Sequence, residues 1–199
     1  HLVVFDCITC DKCLPVCPNA ANFTYPTPLV AFDYHDAWIA PDGSWRWADQ
    51  TRRFEITRPM QIACYADFCN ECGNCDTFCP EYGGPYIEKP SFFATRKTWE
   101  AAAPRDGFYV TRDAEQESIT GRIKNETFAL TRPRRGDGPL TLDDGVVRVT
   151  LGDGGEITHV ERRPASEHRL DMWAFHTLRH LLAGVLSDER VNQVNVAAG

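Results

Sequence analysis

Eight of the nine cysteines fall into two runs of identical spacing, and nothing else in the chain restricts its fold so strongly. The first run is Cys7-Ile8-Thr9-Cys10-Asp11-Lys12-Cys13-Leu14-Pro15-Val16-Cys17-Pro18. The second is Cys69-Asn70-Glu71-Cys72-Gly73-Asn74-Cys75-Asp76-Thr77-Phe78-Cys79-Pro80. Each reads C-x2-C-x2-C-x3-C-P, the spacing of bacterial two-cluster ferredoxins. Two-residue gaps let a tight loop wrap three thiolates round one face of a cubane, with backbone N–H groups turned toward sulfur. The fourth cysteine opens a short segment that leads toward the other cluster. Proline beside it is tolerated, because an N–H at a helix start has no intrahelical partner. In this arrangement the fourth cysteine ligates the other cluster. The expected cofactors are therefore two [4Fe–4S] clusters. The first is expected on Cys7, Cys10, Cys13 and Cys79, and the second on Cys69, Cys72, Cys75 and Cys17. Crossed ligation of this kind staples residues 1–20 to residues 64–85.

Two other uses of cysteine fit less well. Zinc sites use two separated pairs per ion rather than four-cysteine runs that end in Cys-Pro. A disulfide framework belongs to small secreted domains; an odd cysteine count opposes it, and the opening residues His1–Asp6 lack the length and basic start of a signal peptide. Iron–sulfur ligation implies a reducing compartment, so the cytoplasm is the expected location. The ninth cysteine, Cys64, follows Met60 and Ile62 in an alternating strand pattern. It reads as a buried structural thiol, with cluster ligation as the alternative.

Charge is unevenly placed. Residues 1–90 carry 6 Lys or Arg against 12 Asp or Glu, whereas residues 91–199 carry 15 against 16. An acidic front half argues against nucleic acid as a partner and suits docking to a basic protein surface. No run of eighteen apolar residues exists, so no membrane-spanning helix is expected. A chain of 199 residues, 43% of them hydrophobic, can build a packed core unaided. It begins with His1 rather than Met, which suits either a processed chain or a piece of a longer one.

Beyond the cysteines themselves, the stretches Cys13–Asn22 and Asp67–Pro80, followed by Gly84-Pro85-Tyr86 and Lys89, carry a family resemblance. They resemble the ferredoxin-like region near the C-terminus of selenate-reductase-type iron–sulfur subunits. These are large flavoproteins related to glutamate synthase small chains and to the electron-input half of dihydropyrimidine dehydrogenase. The cysteine pattern is shared by many iron–sulfur proteins; the Phe68–Cys75 string is the more specific part. The resemblance implies an electron-transfer tail or subunit that works with flavoprotein machinery. It does not imply selenate reduction by this chain. No G-x-G-x-x-G fingerprint is present, and Gly152-Asp153-Gly154-Gly155 reads as a turn.

The remaining sequence is β-rich. Residues 18–68 form a long insertion between the runs. Within it, Ala37–Ala40 and Trp45–Trp47 flank the turn Pro41-Asp42-Gly43-Ser44. Trp45 and Trp47 share one strand face, suited to packing the hairpin, covering a cluster or meeting a partner. Gly107–Thr111, Thr127–Thr131, Val146–Leu151 and Glu156–Glu161 read as strands, the last two as a hairpin. The loop Arg132–Gly138 holds three arginines and reads as solvated. Residues 166–187 read as one long helix with Ser166 as N-cap. Its apolar stripe is Leu170, Trp173, Ala174, Leu178, Leu181, Leu182 and Val185. His176 and His180 lie four apart on it, with no third ligand evident; packing or solvent roles are expected of all six histidines.

The expected fold is α+β: a two-cluster ferredoxin-like core over residues 1–90, with a β-hairpin insertion at about 24–62. A small β-rich domain over residues 91–199 follows and includes the helix. The expected role is an electron-transfer subunit or domain of a larger oxidoreductase complex, with a flavin- or nicotinamide-linked partner and, by family analogy alone, a molybdenum enzyme. No residue group is expected to be catalytic. The alternative is an assembly subunit whose clusters are mainly structural.

Overall fold

The computed structural model describes residues 4–81, 83–135 and 138–198. His1 and its two neighbours, then Tyr82, then Gly136 and Asp137 of the arginine loop, and the terminal Gly199 lie outside the described residues.

Two sheets and one central helix organise the chain. Strands β1 (Asn22–Pro26), β4 (Met60–Tyr65), β5 (Ser91–Phe93), β6 (Gly107–Arg112), β7 (Gln116–Ile123), β8 (Glu126–Pro133), β9 (Leu140–Asp143), β10 (Arg148–Leu151) and β11 (Ile157–Arg162) form a nine-stranded sheet in that order. Strands β12 (His168–Leu170), β2 (Val30–Ile39) and β3 (Trp45–Ile56) form a three-stranded sheet. The large sheet is antiparallel except at β4–β5 and β5–β6, where Cys64 faces Ser91 and Phe92 faces Phe108 in parallel register. The sheet thus runs unbroken across residue 90. One hydrophobic core also spans that point, holding Phe23 and Tyr65 together with Phe108, Leu130 and Leu178.

The insertion folds as the sequence pattern suggests, over a longer span. β2 and β3 pair antiparallel, with Ile39 opposite Trp45 and Ala37 opposite Trp47. Their turn closes through Asp42, whose Oδ1 accepts from Ser44 N at 2.8 Å and Ser44 Oγ at 2.6 Å. Trp45 and Trp47 pack edge to face on each other, with centroids 5.0 Å apart, and remain more than a third exposed. They are therefore not core residues of the hairpin. A register shift between His35 and Ala37 leaves Asp36 out of the ladder. Such bulges redirect a side chain. Here Asp36, 2% exposed, accepts from Met172 N, Arg52 Nη1 and Arg169 Nε, all at 3.0 Å.

The long helix starts later than its periodicity suggests. α4 spans Met172–Val185, and Asp171 rather than Ser166 caps it, accepting from Trp173 N at 3.0 Å. Residues 168–170 are instead drawn into β12, where Arg169 sits opposite Trp38. α4 packs against β2 on one side and β1, β7 and β8 on the other. Phe175, Leu178, Leu181 and Leu182 are fully buried there, each contributing about 1.5–3 kcal/mol of apolar burial. The stripe read from the sequence is a core stripe, with Trp173 at its partly buried edge. A short helix α3 (Arg96–Ala101) lies between β5 and β6, and another, α5 (Gln193–Ala197), capped by Asn192, follows α4.

Candidate functional site

The two cysteine runs adopt one conformation twice. In the first, Thr9 and Asp11 flank Cys10 with φ of 55° and 59°. In the second, Glu71 and Gly73 flank Cys72 with φ of 54° and 79°. Left-handed backbone costs a non-glycine residue about 1–2 kcal/mol, and residues held there cluster at ligand clamps. The hydrogen bonds match as well. Thr9 N donates to Cys7 Sγ and Glu71 N to Cys69 Sγ, each at 3.4 Å. Leu14 N donates to Asp11 O at 3.1 Å, and its counterpart Asp76 N to Gly73 O at 3.0 Å. Cys17 N reaches Leu14 O at 3.4 Å, and Cys79 N reaches Asp76 O at 3.2 Å. Successive inward-turned N–H groups of this kind make a concavity for negative charge.

Burial repeats too. Cys10 and Cys72 are exposed, Cys13 and Cys75 buried, Cys17 and Cys79 intermediate; Cys7 is buried where Cys69 is intermediate. Cys7, Cys13 and Cys75 share one buried cluster with Ile62, flanked by Leu14, Val16 and Tyr86. The second run continues as α1 (Asn74–Phe78) and α2 (Pro85–Glu88), with Cys79 capping α1.

The electrostatics group the sulfurs. Burial, then the neighbouring Cys7, Cys10 and Cys75, pushes the Cys13 thiol up to about 12. Burial also raises Cys75; Cys69 and Cys17 add to this, while hydrogen bonds from the Asn22 side chain and the Tyr86 backbone oppose it. Cys17 of the first run and Cys69 of the second thus both act electrostatically on Cys75. All nine cysteines are free. Thiols crowded in low dielectric resist ionisation until a cation is present, and a coordinating metal deprotonates them outright. This donor set fits iron–sulfur clusters. Among the described residues, no three His, Cys, Asp or Glu side chains converge on one ion position. The ligands of a cubane each bind a different iron and need no such convergence.

Several supporting residues carried no role in the sequence reading. Gln61, 1% exposed, accepts from Cys7 N at 3.1 Å. Asn22 Nδ2 donates to Cys13 O at 3.0 Å. Arg105 joins Glu71 Oε1 at 2.9 Å to Tyr86 O at 2.5 Å and Ser91 Oγ at 3.1 Å. Lys89 Nζ, on a buried side chain, lies 2.8 Å from Asp6 Oδ1 and 3.4 Å from Glu81 Oε2. A polar residue inside an apolar strand, such as Gln61, was the one signal available in the sequence.

Cys64 is fully buried in β4, and burial, followed by the neighbouring Cys69, raises its thiol. It sits outside both left-handed loops, as a structural thiol would. His176 and His180 are buried beside the Phe54 ring, at 5.5 and 5.4 Å between centroids. His35 Nδ1 meets Ala48 O at 2.9 Å, and His168 Nε2 meets Asp144 Oδ2 at 2.6 Å. Arg132 pairs with Glu117, and Arg134 donates to Asp113 O at 2.9 Å, so these arginines are engaged.

Comparison with known proteins agrees with the chemistry of the runs. Residues 4–82 match the family model described as the 4Fe-4S dicluster domain. Over 127 residues, 64% of this chain, the sequence is 28% identical to a protein of Escherichia coli (strain K12) named "Putative oxidoreductase YgfK". Over 121 residues, 61% of the chain, it is 29% identical to the protein of the same name in Escherichia coli O157:H7. The match spans only 9% of either relative's length. No solved structure matches. These similarities support 4Fe–4S clusters and kinship with iron–sulfur oxidoreductases. No helix among the described residues is long and apolar enough to cross a membrane.

Proposed function

We propose that this chain is an electron-transfer iron–sulfur subunit or domain that relays single electrons through two [4Fe–4S] clusters within a larger oxidoreductase complex. Its immediate partner is a flavin- or nicotinamide-linked protein. One observation carries the reading: two runs of the same spacing fold the same way and meet, with Cys7 and Cys13 of one in a buried cluster with Cys75 of the other and Asn74 donating to Val16 O at 3.4 Å. Cys7, Cys10 and Cys13 with Cys79 would hold one cluster, and Cys69, Cys72 and Cys75 with Cys17 the other. In this reading residues 1–90 are a ferredoxin-like unit with the β2–β3 hairpin inserted, and residues 91–199 a β-rich extension. A reducing compartment such as the cytoplasm suits these ligands.

Bound [4Fe–4S] groups supply one-electron carriers whose potential depends on hydrogen bonds to sulfur, nearby charge and solvent exposure. The chain sets those three quantities. Thr9 N, Glu71 N and Ala21 N donate to Cys7, Cys69 and Cys17 sulfurs. Asn22 and the Tyr86 N–H stabilise charge on Cys75. Ile62, Leu14, Val16 and Tyr86 keep water from the buried thiols. Ile8, Phe68 and Phe78, each next in sequence to a cysteine, are about half exposed and offer apolar contact to a partner.

Stopped-flow reduction of the anaerobic protein by dithionite, followed by re-oxidation with a one-electron acceptor, tests the relay. Repeated reversible bleaching of the visible charge-transfer band is expected. Clusters that resist reduction, or break down on the first cycle, would make them structural and the chain an assembly module.

A further inference from the structure

One deeply buried cation, Lys89, stands beside the first cysteine run; beside the second, among the described residues, the more exposed Arg105 pairs with Glu71 at 2.9 Å. Lys89 is 5% exposed. Its backbone N donates to Pro85 O at 3.2 Å, closing α2, and the next residue's carbonyl, Pro90 O, accepts from Cys64 N at 2.9 Å. The base of this side chain is thus fixed between α2 and β4. Its Nζ reaches Asp6 Oδ1 at 2.8 Å and Glu81 Oε2 at 3.4 Å. Asp6 immediately precedes Cys7, and Glu81 follows Cys79-Pro80. Under crossed ligation, Cys7 and Cys79 hold the same cluster. One ammonium therefore ties together the two segments, from opposite runs, that supply that cluster.

The tie between the two runs on the other side is made by an amide. Asn74, preceding Cys75, donates Nδ2 to the carbonyl of Val16, which precedes Cys17, at 3.4 Å. Asn22 adds a second amide at Cys13 O and Cys75. Two sites built on the same backbone turn thus differ in how deeply their cation is buried, Lys89 at 5% exposed and Arg105 at 32%.

We infer that Lys89 is a positioning and potential-setting residue for the cluster on Cys7, Cys10, Cys13 and Cys79, holding that cluster's potential higher than it would be without the cation. The inference rests on the proposed function. Reduction adds one electron and no proton, so the reduced cluster carries one more negative charge, which a nearby cation favours. Asp6 and Glu81 oppose the ammonium, yet Asp6 is half exposed and screened by solvent, whereas Lys89 is not. Removing the cation leaves both carboxylates uncompensated beside Cys7, so the sign of the effect does not depend on how their charge is weighted.

EPR-monitored redox titration of the wild type, K89M, K89R and D6N, with iron and sulfide counted in each, tests the inference. K89M should move one midpoint to lower potential and leave the other in place. K89R, which keeps the charge, should hold both near wild type. D6N keeps an oxygen acceptor, removes a competing negative charge and should raise the midpoint that K89M lowers. Unmoved midpoints, or equal shifts of both, in a K89M protein with full iron would overturn the inference. Should K89M fail to hold iron, an unmoved midpoint in D6N does so. A wild type without two reversible cubanes would instead sink the functional reading itself.

Discussion

The side-chain amide of Asn74 donates to the main-chain carbonyl of Val16 at 3.4 Å, a direct tie between cysteine runs separated by 58 residues in sequence. Each partner immediately precedes a cysteine, Asn74 before Cys75 and Val16 before Cys17. The contact therefore fixes one run's fourth cysteine relative to the other run's third, the relation that crossed ligation needs.

The buried tie at Asn22 should matter more than the exposed one at Asn74. Replacing Asn22 by Ala leaves Cys13 O without its donor and the Cys75 sulfur with only the Tyr86 N–H. A lost buried hydrogen bond costs about 1–3 kcal/mol. Urea denaturation of the holoprotein should show that loss, with faster iron release to a chelator, and N74A should change both far less.

Glycines next to the second run should separate conformational from steric cost. Gly73 has φ of 79° and open space where a Cβ would go. G73A should cost about 1–2 kcal/mol, the left-handed penalty alone. A Cβ on Gly84 would lie 2.8 Å from Asp76 N, against the backbone of α1. G84A must displace that turn, so its urea midpoint should fall well below that of G73A.

Acid should weaken the core through α4. Burial first, with help from His180 and Arg179, lowers His176 from 6.5 to about 4. Burial and Arg179, against Asp153, do the same for His180. The unfolded chain binds these protons more readily than the native one, so stability is full above pH 6.5 and falls as pH drops toward about 4. Urea midpoints at pH 7, 6 and 5 should fall in wild type, and the fall should flatten in H176Q/H180Q.

Asp36 should be the most sensitive polar residue of the small sheet. Burial acts to raise its carboxyl, but Arg169, Met172 N and Arg52 hold it below the usual range. D36N leaves Arg169 without its anion, while Arg52 keeps Asp171 at 2.7 Å, and should cost about 3 kcal/mol, the low end for breaking a buried pair because both arginines are partly exposed. Thermal melts of D36N against R52M should show the larger loss in D36N.

Legibility in the sequence followed the range of the interaction. Metal ligation imposes local spacing, so the cysteine runs were readable, and residues 4–82 match a 4Fe-4S dicluster domain. The Pro41–Ser44 turn and the β10–β11 hairpin are also local, and both formed. The start of α4 was not readable. Ser166 and Asp171 are both acceptable caps, and the choice was made by β12 pairing Arg169 with Trp38, far away in sequence. β5, with three residues, is too short to show a period, yet it links β4 to β6 in parallel. Gln61 and Lys89 meet Cys7 N and Asp6 across 54 and 83 residues, and no local pattern encodes such partners.

The central claim is that two cubanes sit close together in one chain. Iron and acid-labile sulfide per chain, measured anaerobically with low-temperature EPR of the dithionite-reduced protein, tests it most directly. The account predicts about eight irons and eight sulfides per chain, as two cubanes on four thiolates each require, and reduced signals broadened by spin coupling between neighbouring clusters. Zinc in place of iron, or about four irons with a single uncoupled signal, would contradict it.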